Sequence, residues 1–255
     1  MVLTFLGTGT SQGVPVVACD CEVCKSKDPK DKRLRSSVMV ETEGKRIIID
    51  CGPDFRQQML RKNIRSIDAI LITHAHKDHI GGLDDVRAFN YILQKPTDVY
   101  VSKEVQQVIK NEFSYAFGED KYPGVPEICL HLIANKEFYI SGLPILPIKA
   151  LHFPDHYVFG FRIGNLCYIT DALNIPDIEL EKMKGSKVVV INALRKKKHY
   201  SHFNLSEAIA ILEKLKPEKG YLTHISHQMG CYEEVKKELP SFIQQAYDGL
   251  TVVID

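Results

Sequence analysis

The sequence predicts an α+β fold in which two mixed β-sheets pack together and helices cover their outer faces. Three observations carry this. Roughly a dozen short segments are apolar or alternate in the manner of strands, many are joined pairwise by tight turns, and helical segments fall between groups of strands. The third point separates the chain from a strictly alternating parallel sheet. A length of 255 residues is enough to bury a sizeable core as one domain, 1–255. No internal repeat, low-complexity tract or interdomain linker interrupts it.

The elements follow in order. Val2–Leu6 is a strand that runs into a glycine-rich loop, Gly7 to Gly13. Residues 14–35 form an excursion with a cysteine cluster and a charged stretch from Asp28 to Arg35. Ser37–Glu41 and Arg46–Asp50 read as a hairpin, with Gly44 where positive φ is needed. Asp54 is placed to cap a helix over Phe55–Lys62. Ala69–Ile72 is a short buried strand, and Gly81-Gly82 breaks the chain before a helical Leu83–Leu93. Val99–Val101 is a strand, and apolar residues at helical spacing predict a helix over Lys103–Phe117. Ile128–Ile133, Glu137–Ile140 and Leu143–Ala150 read as an antiparallel ribbon. Tyr157–Ile163 and Leu166–Thr170 form a second hairpin that ends at Asp171. Val188–Asn192 is a buried strand, Leu205–Leu215 a helix capped by Asn204 or Ser206, and Gly220–Thr223 a strand leading into His224. Tyr232–Leu239 is helical, and Leu250–Ile254 is a final strand.

Net charge is +1, so no global positive field draws nucleic acid polymers, although Arg195 to Lys198 is a local basic run. No apolar run approaches the ~20 residues needed to cross a bilayer. The first residues lack a basic leader, which makes the cytoplasm the default location. Seven cysteines, three of them clustered, suggest metal or catalytic thiols rather than a disulfide framework.

The chemistry concentrates at His74-x-His76-x-Asp78-His79, four metal donors within six residues at the end of a strand. A loop there lets all four converge, which a regular strand or helix does not. Imidazole with carboxylate suits zinc, manganese or iron. A second ion needs further ligands, and His152, Asp171 and His224 each sit at a strand end where they can join the first four. Two adjacent ions activate water at neutral pH and neutralise phosphoryl charge, and Asp171 has two oxygens with which to bridge them. Cys19-x-Cys21-x-x-Cys24 is one donor short of a closed tetrahedral zinc site, and His227 is available as the fourth. Cys51, Cys129 and Cys167 read as small buried hydrophobes, and Cys231 has no evident role.

These residues resemble the metallo-beta-lactamase superfamily, through Thr-His-Ala-His-Lys-Asp-His at 73–79. Within it they are most similar to the PhnP-like phosphodiesterases of the carbon–phosphorus lyase pathway, which hydrolyse phosphoribosyl 1,2-cyclic phosphate. The similarity extends over nearly the whole chain, including residues 7–15, 50–56, 68–82, 84–87, 160–163 and 199–204. It implies a four-layer αββα sandwich and a homodimer. By the resemblance, His74, His76 and His152 hold one ion, Asp78, His79 and His224 hold the other, and Asp171 bridges them. Cys19, Cys21, Cys24 and His227 would hold a structural zinc. A catalytic histidine aligns with His202, and Asp78 belongs to the reacting site.

His199 is read as a phosphate contact, and His156, four residues past His152, is the rival for the ligand role. Asp50 and Asp84 or Asp85 are candidates to orient metal-bound imidazoles. Arg56 and Arg87 pair with those acids or face the substrate. Gly7-x-Gly9 lacks a full nucleotide-binding fingerprint and reads as a close turn under the site. The expected substrate is a small phosphodiester. A ribonuclease-Z-like endonuclease ranks second, because it needs a long basic arm to hold RNA. A beta-lactamase ranks lower still, and a zinc-stabilised sensor or scaffold without activity is the alternative from another class.

Overall fold

Ile47, Ile48 and Ile49 are fully buried in succession, which requires apolar cover on both faces of their strand. The computed structural model describes residues 1–118 and 122–255. Among these, the strands form two seven-stranded sheets. The first runs from Thr251–Val253 (β14) through Val2–Gly7 (β1), Ser37–Thr42 (β2), Lys45–Ile49 (β3), Ala69–Leu71 (β4) and Thr97–Val101 (β5) to Ile128–Leu132 (β6). The second runs from Ile243–Gln245 (β13) through Lys219–Thr223 (β12), Val188–Asn192 (β11), Leu166–Tyr168 (β10), His156–Ile163 (β9) and Leu143–Phe153 (β8) to Phe138–Ile140 (β7).

Three apolar clusters define the layers. Leu3, Phe5, Ile47 and Ile49 of one sheet meet Ile145, Phe161, Leu166 and Val190 of the other. Ile48 and Ile70 face outward onto Phe55, Met59, Val86 and Ile109 of the first helical layer. Val189, Ile191 and Leu222 face the second layer, which includes Leu180, Leu205 and Leu212. The architecture is the αββα sandwich of the metallo-beta-lactamase type.

Each sheet is half antiparallel and half parallel. β3, β4, β5 and β6 pair in parallel, as do β10, β11, β12 and β13. Parallel strands end together, so each sheet presents several carboxyl ends along one edge. Loops leaving such edges are where α/β sheets gather ligand-binding groups.

The structure revises several expectations. Ile128–Leu132 does not join the ribbon: it pairs in parallel with β5 in the first sheet, and the chain crosses to the second sheet before β7. Three consecutive apolar segments show no change of sheet in their pattern alone. Asp54 makes no cap hydrogen bond, because its carboxylate accepts from the Arg35 backbone N–H at 2.8 Å and the Arg35 guanidinium at 3.0 Å. The helix predicted over Lys103–Phe117 breaks at Phe113. A helix at Asp177–Met183 had too few apolar positions to register; its inner face is Glu179, Leu180 and Met183. Asn204 is the cap of Leu205–Leu215, in a reciprocal box with Glu207.

Candidate metal centre

The carboxyl ends of the parallel strands deliver the site. Asp50 follows β3, Thr73 to His79 follow β4, Asp171 follows β10 and His224 follows β12. Asp50, Asp171 and His224 all have left-handed backbone, with φ of 67°, 58° and 54°. Non-glycine residues there cost about 1–2 kcal/mol each, and such strain concentrates where side-chain direction matters. Neighbouring bonds hold the strained turns. The Asn192 side chain, for example, accepts from the Ala172 N–H at 2.8 Å and donates to the Ala172 carbonyl at 2.9 Å.

Two groups of donors result. His74, His76 and His152 have ligand atoms within 4.8 Å of one another, as do Asp78, His79, Asp171 and His224. Asp171 faces both. Its Oδ2 lies 3.2 Å from His79 Nε2 and 3.2 Å from His224 Nδ1, while Oδ1 lies 4.0 Å from His74 Nε2. His152 reaches the cluster from the end of β8, where pairing with β9 is irregular between Leu151 and Phe153. A bulge of this kind re-aims a side chain. His156 stays exposed at the start of β9, its ring on Phe153.

Hydrogen bonds fix the rings from behind. Asp50 accepts from His79 Nδ1 at 2.7 Å and from Thr73 N and Oγ1 at 2.9 and 3.0 Å. The Ser201 carbonyl accepts from His152 Nδ1 at 2.9 Å. Thr73 Oγ1 lies 3.0 Å from His74 Nδ1, and Ser36 and Thr10 hydroxyls lie 3.2 and 3.3 Å from the two nitrogens of His224. Such partners orient metal-binding imidazoles and fix their tautomers.

The inner sides are different: Nε2 of His74 is buried without a hydrogen-bond partner, and Nε2 of His79 meets only the carboxylates of Asp78 at 3.1 Å and Asp171 at 3.2 Å. An unpaired buried polar atom costs about 1–3 kcal/mol, and a cation in the cluster supplies the missing partner. The charge states agree. Burial drives His74 well below the ordinary histidine range and His152 and His224 to about 4, leaving neutral rings with free lone pairs. Burial would raise Asp171 and Asp78, but the imidazoles packed against them, His224, His79 and His202 at Asp171 and His79 at Asp78, outweigh it and keep both carboxylates below their ordinary range. Burial would likewise depress His79, yet Asp78, Asp171 and Asp50 together raise it well above its usual value. The carboxylates of Asp50, Asp78 and Asp171 around His79 therefore favour positive charge at this point, which a metal cation can supply. The donors fit a pair of divalent ions.

His202 Nε2 donates to Asp171 Oδ1 at 3.0 Å, and its Nδ1 lies 2.8 Å from Ser201 Oγ. The same hydroxyl lies 3.1 Å from His199 Nδ1. These histidines, with Thr10, Ser11 and Tyr200, line a 540 Å³ cavity over the donors. His202 also falls within ligand distance of His152 and Asp171. Ser201, Thr73, Ser36 and Asn192 escaped sequence reasoning; only the adjacency of the first two to site histidines hinted at them.

The other predicted acids and arginines lie apart. Asp84 bonds Tyr115 Oη at 2.6 Å and Arg87 at 3.3 Å, and Arg56 is exposed. Asp84 thus stays with the surface of its helical layer because Tyr115 and Arg87 hold it there.

At the excursion, His227 Nδ1 lies 3.2, 3.4 and 3.6 Å from the sulfurs of Cys19, Cys21 and Cys24. A tetrahedral zinc with ordinary Zn–S and Zn–N bonds spaces nitrogen and sulfur by about 3.5 Å. Cys21 is lowered to about 6, first by the Cys24 N–H it accepts, whereas burial pushes Cys24 to about 11. The four donors can hold a metal ion.

Gly52 explains one backbone choice. A Cβ there would meet the Asp78 carbonyl oxygen at 1.9 Å. Gly52→Ala is therefore expected to displace the Asp78–His79 turn and reduce metal-dependent activity at least ~10-fold, by analogy with the cost of disturbing ligand support. Parallel metal analysis and kinetics check this; wild-type values for both would refute it.

The beta-lactamase superfamily domain matches residues 45–225. The chain is 39% identical over 256 residues to a Porphyromonas gingivalis protein named octanoyltransferase, covering 98% of this chain and 51% of that protein. It is 25% identical over 231 residues to ribonuclease Z of Methanococcus maripaludis, covering 86% and 65%. The chain thus spans about half to two thirds of the length of these curated relatives. The crystal structure of a new diphosphatase from the PhnP family superposes with a TM-score of 0.93 at 40% identity, covering 100% of this chain and 98% of that one. With its sequence pattern, its fold and its clustered donors in agreement, the chain belongs to the beta-lactamase superfamily and, within it, to the PhnP family.

Proposed function

We propose that this chain is a dinuclear metal-dependent phosphoric diester hydrolase acting on a small cyclic phosphate or nucleotide-like diester, with phosphoribosyl 1,2-cyclic phosphate as one candidate. The observation that carries the reading is Asp171, whose two oxygens face two separate groups of donors. His74, His76 and His152 would hold one ion and Asp78, His79 and His224 the other, with manganese, zinc or iron suited to these donors. Bound there, the ions would supply activated water and neutralise charge on phosphorus-bound oxygens. Asp50 and Ser201 hold His79 and His152 in register for this task.

His202 is the acid of the reading. Its Nε2–H is held by Asp171 Oδ1 at 3.0 Å and would be released once that carboxylate turns to the ions, while Ser201 Oγ lies 2.8 Å from its other nitrogen. From there it can donate to a departing oxygen, while His199 binds a phosphate oxygen nearer the mouth. The Cys19, Cys21, Cys24 and His227 donors would hold a structural zinc, closed to substrate. A second reading, cleavage of a diphosphate, is favoured by the PhnP-family relative described as a diphosphatase. RNA processing is less favoured: Lys196 is paired with Glu238, and the rest of the basic run covers one small area of the surface.

The test is hydrolysis of bis-p-nitrophenyl phosphate and of ADP by protein loaded with manganese or zinc. Turnover of the diester is expected, and His202→Ala should lower kcat by about 10²–10⁴ at unchanged metal content. Cleavage of ADP alone would replace the first reading with the second. Cleavage of neither would refute both.

A further inference from the structure

A second cavity, of 670 Å³, adjoins the metal centre on the side away from His199 and His202. The two share a wall: His76, His152 and Phe153 line both. Phe153 is the middle of that wall, with His76 nearly parallel to it at 6.3 Å, His156 stacked at 3.9 Å and His152 edge-on at 5.1 Å. The Thr73–His76 segment thus sends its histidines toward the metal donors while its backbone closes the second cavity. There the Thr73 carbonyl accepts the Phe159 N–H at 2.9 Å.

The two cavities differ in chemistry. The site cavity presents hydroxyls and imidazoles from Thr10, Ser11, His199, Ser201 and His202. The second is walled by Val105, Val108, Ile133, Phe153, Val158 and Phe159. Ser102, Lys103, Glu104 and Asp155 also line it, while Asn135 and Lys149 among its polar groups are already engaged. Asn135 donates to Glu179 at 2.7 Å and accepts from Lys182 at 2.7 Å, and the Lys149 ammonium rests 3.9 Å above the Tyr157 ring. Along the apolar wall a charged or strongly hydrated occupant would lose its hydration without gaining a partner. A planar apolar group would find valine and phenylalanine walls of suitable size.

We propose that this cavity is the subsite for an uncharged, ring-bearing apolar ester group, so that the substrate has two unlike ends. Phosphorus lies at the Asp171 cluster, the polar end lies toward His199 and His202, and the ring passes Phe153 into the valine-lined cavity. The inference rests on the phosphodiester reading and narrows its substrate to diesters that carry such a ring, which sets phosphoribosyl 1,2-cyclic phosphate aside. It also explains why Phe153, rather than a polar residue, directly follows the ligand His152.

The test is binding, which needs no turnover. Phenylphosphonate and methylphosphonate are titrated calorimetrically into manganese-loaded full-length protein. Wild type is expected to bind the phenyl compound at least tenfold more tightly. Val108→Trp, which fills the cavity from the Lys103–Glu112 helix, should abolish that preference, and Ala134→Trp should do so from the opposite wall. Equal affinities in wild type, or a preference that survives both substitutions, would overturn the proposal. Hydrolysis of bis-p-nitrophenyl phosphate is measured alongside. Hydrolysis without a phenyl preference refutes the subsite alone, whereas a phenyl preference lost in both variants without hydrolysis supports the subsite and refutes the catalytic reading.

Discussion

Asp171→Asn is expected to lower kcat/KM for a phosphodiester by about 10³ or more, with fewer than two active-site ions retained per chain. The size follows from the several kcal/mol that a correctly held metal pair contributes to charge stabilisation, at 1.36 kcal/mol per factor of ten. The substitution is chosen to separate charge from backbone. Asp171 has a φ of 58°, and asparagine tolerates that region nearly as well as aspartate, so the turn after β10 keeps its shape. What changes is the carboxylate. His79 Nε2 and His224 Nδ1 lose a negative partner at 3.2 Å, and His202 Nε2 meets an amide that is no longer anionic. Asp78 is then the sole carboxylate left among the proposed ligands. Metal analysis after dialysis, with kinetics on the same sample, checks the result. Activity within tenfold of wild type at full metal content would remove Asp171 from the bridging role.

The donors were legible in the sequence because metal chemistry restricts residue types so severely. His74, His76, Asp78 and His79 can be found by spacing, and strand ends point to His152, Asp171 and His224. That His152 lies with these donors while His156 stays exposed was less accessible, since it turns on an irregular pairing between Leu151 and Phe153 that no pattern announces. The supporting groups were mostly invisible. Ser36 and Thr10 reach His224 across more than 180 residues of chain, and Asn192 reaches Ala172 across neighbouring strands. A serine or threonine in those roles looks like any other. Asp50 was found because it precedes Gly52 at a strand end, yet Asp84, equally acidic and near the same motif, turns out to bond Tyr115 instead.

The fold was legible wherever a short, unbroken apolar run was bounded by turn residues, as in Val2–Gly7 and the hairpin over Ser37–Ile49. It was least legible where topology, not burial, decided the outcome. Ile128–Leu132 has the composition of a ribbon strand, but it completes the parallel half of the first sheet. That assignment matters to the site, because the parallel halves are what line up the carboxyl ends bearing Asp50, Asp171 and His224.

Cys24→Ser is expected to remove one zinc per chain and lower Tm by about 6–12 °C. The excursion it serves is closed by the bridge between Val14 and Arg33, and its own apolar cluster has only Val14, Val23 and Cys24 fully buried. So small a core cannot hold some twenty residues in place, and loss of a structural metal is among the few single changes that cost about 3 kcal/mol or more. At this chain length each kcal/mol is worth about 2–4 °C. Without zinc, Cys21 is driven toward thiolate and Cys24 toward thiol, so the metal-free cluster keeps a proton that zinc would displace. The effect should reach the catalytic centre. His227 lies three residues past His224, and Thr10, just before the excursion, touches the His224 ring at 3.3 Å. A loosened His224 is expected to cost about 10-fold in kcat/KM, the size seen when an orienting partner of a metal ligand is lost. Zinc analysis, calorimetric unfolding and kinetics on one preparation separate these effects. An unchanged zinc count would show that the cysteines are not its ligands, and a lost zinc with an unchanged Tm would show that the metal does not hold the excursion.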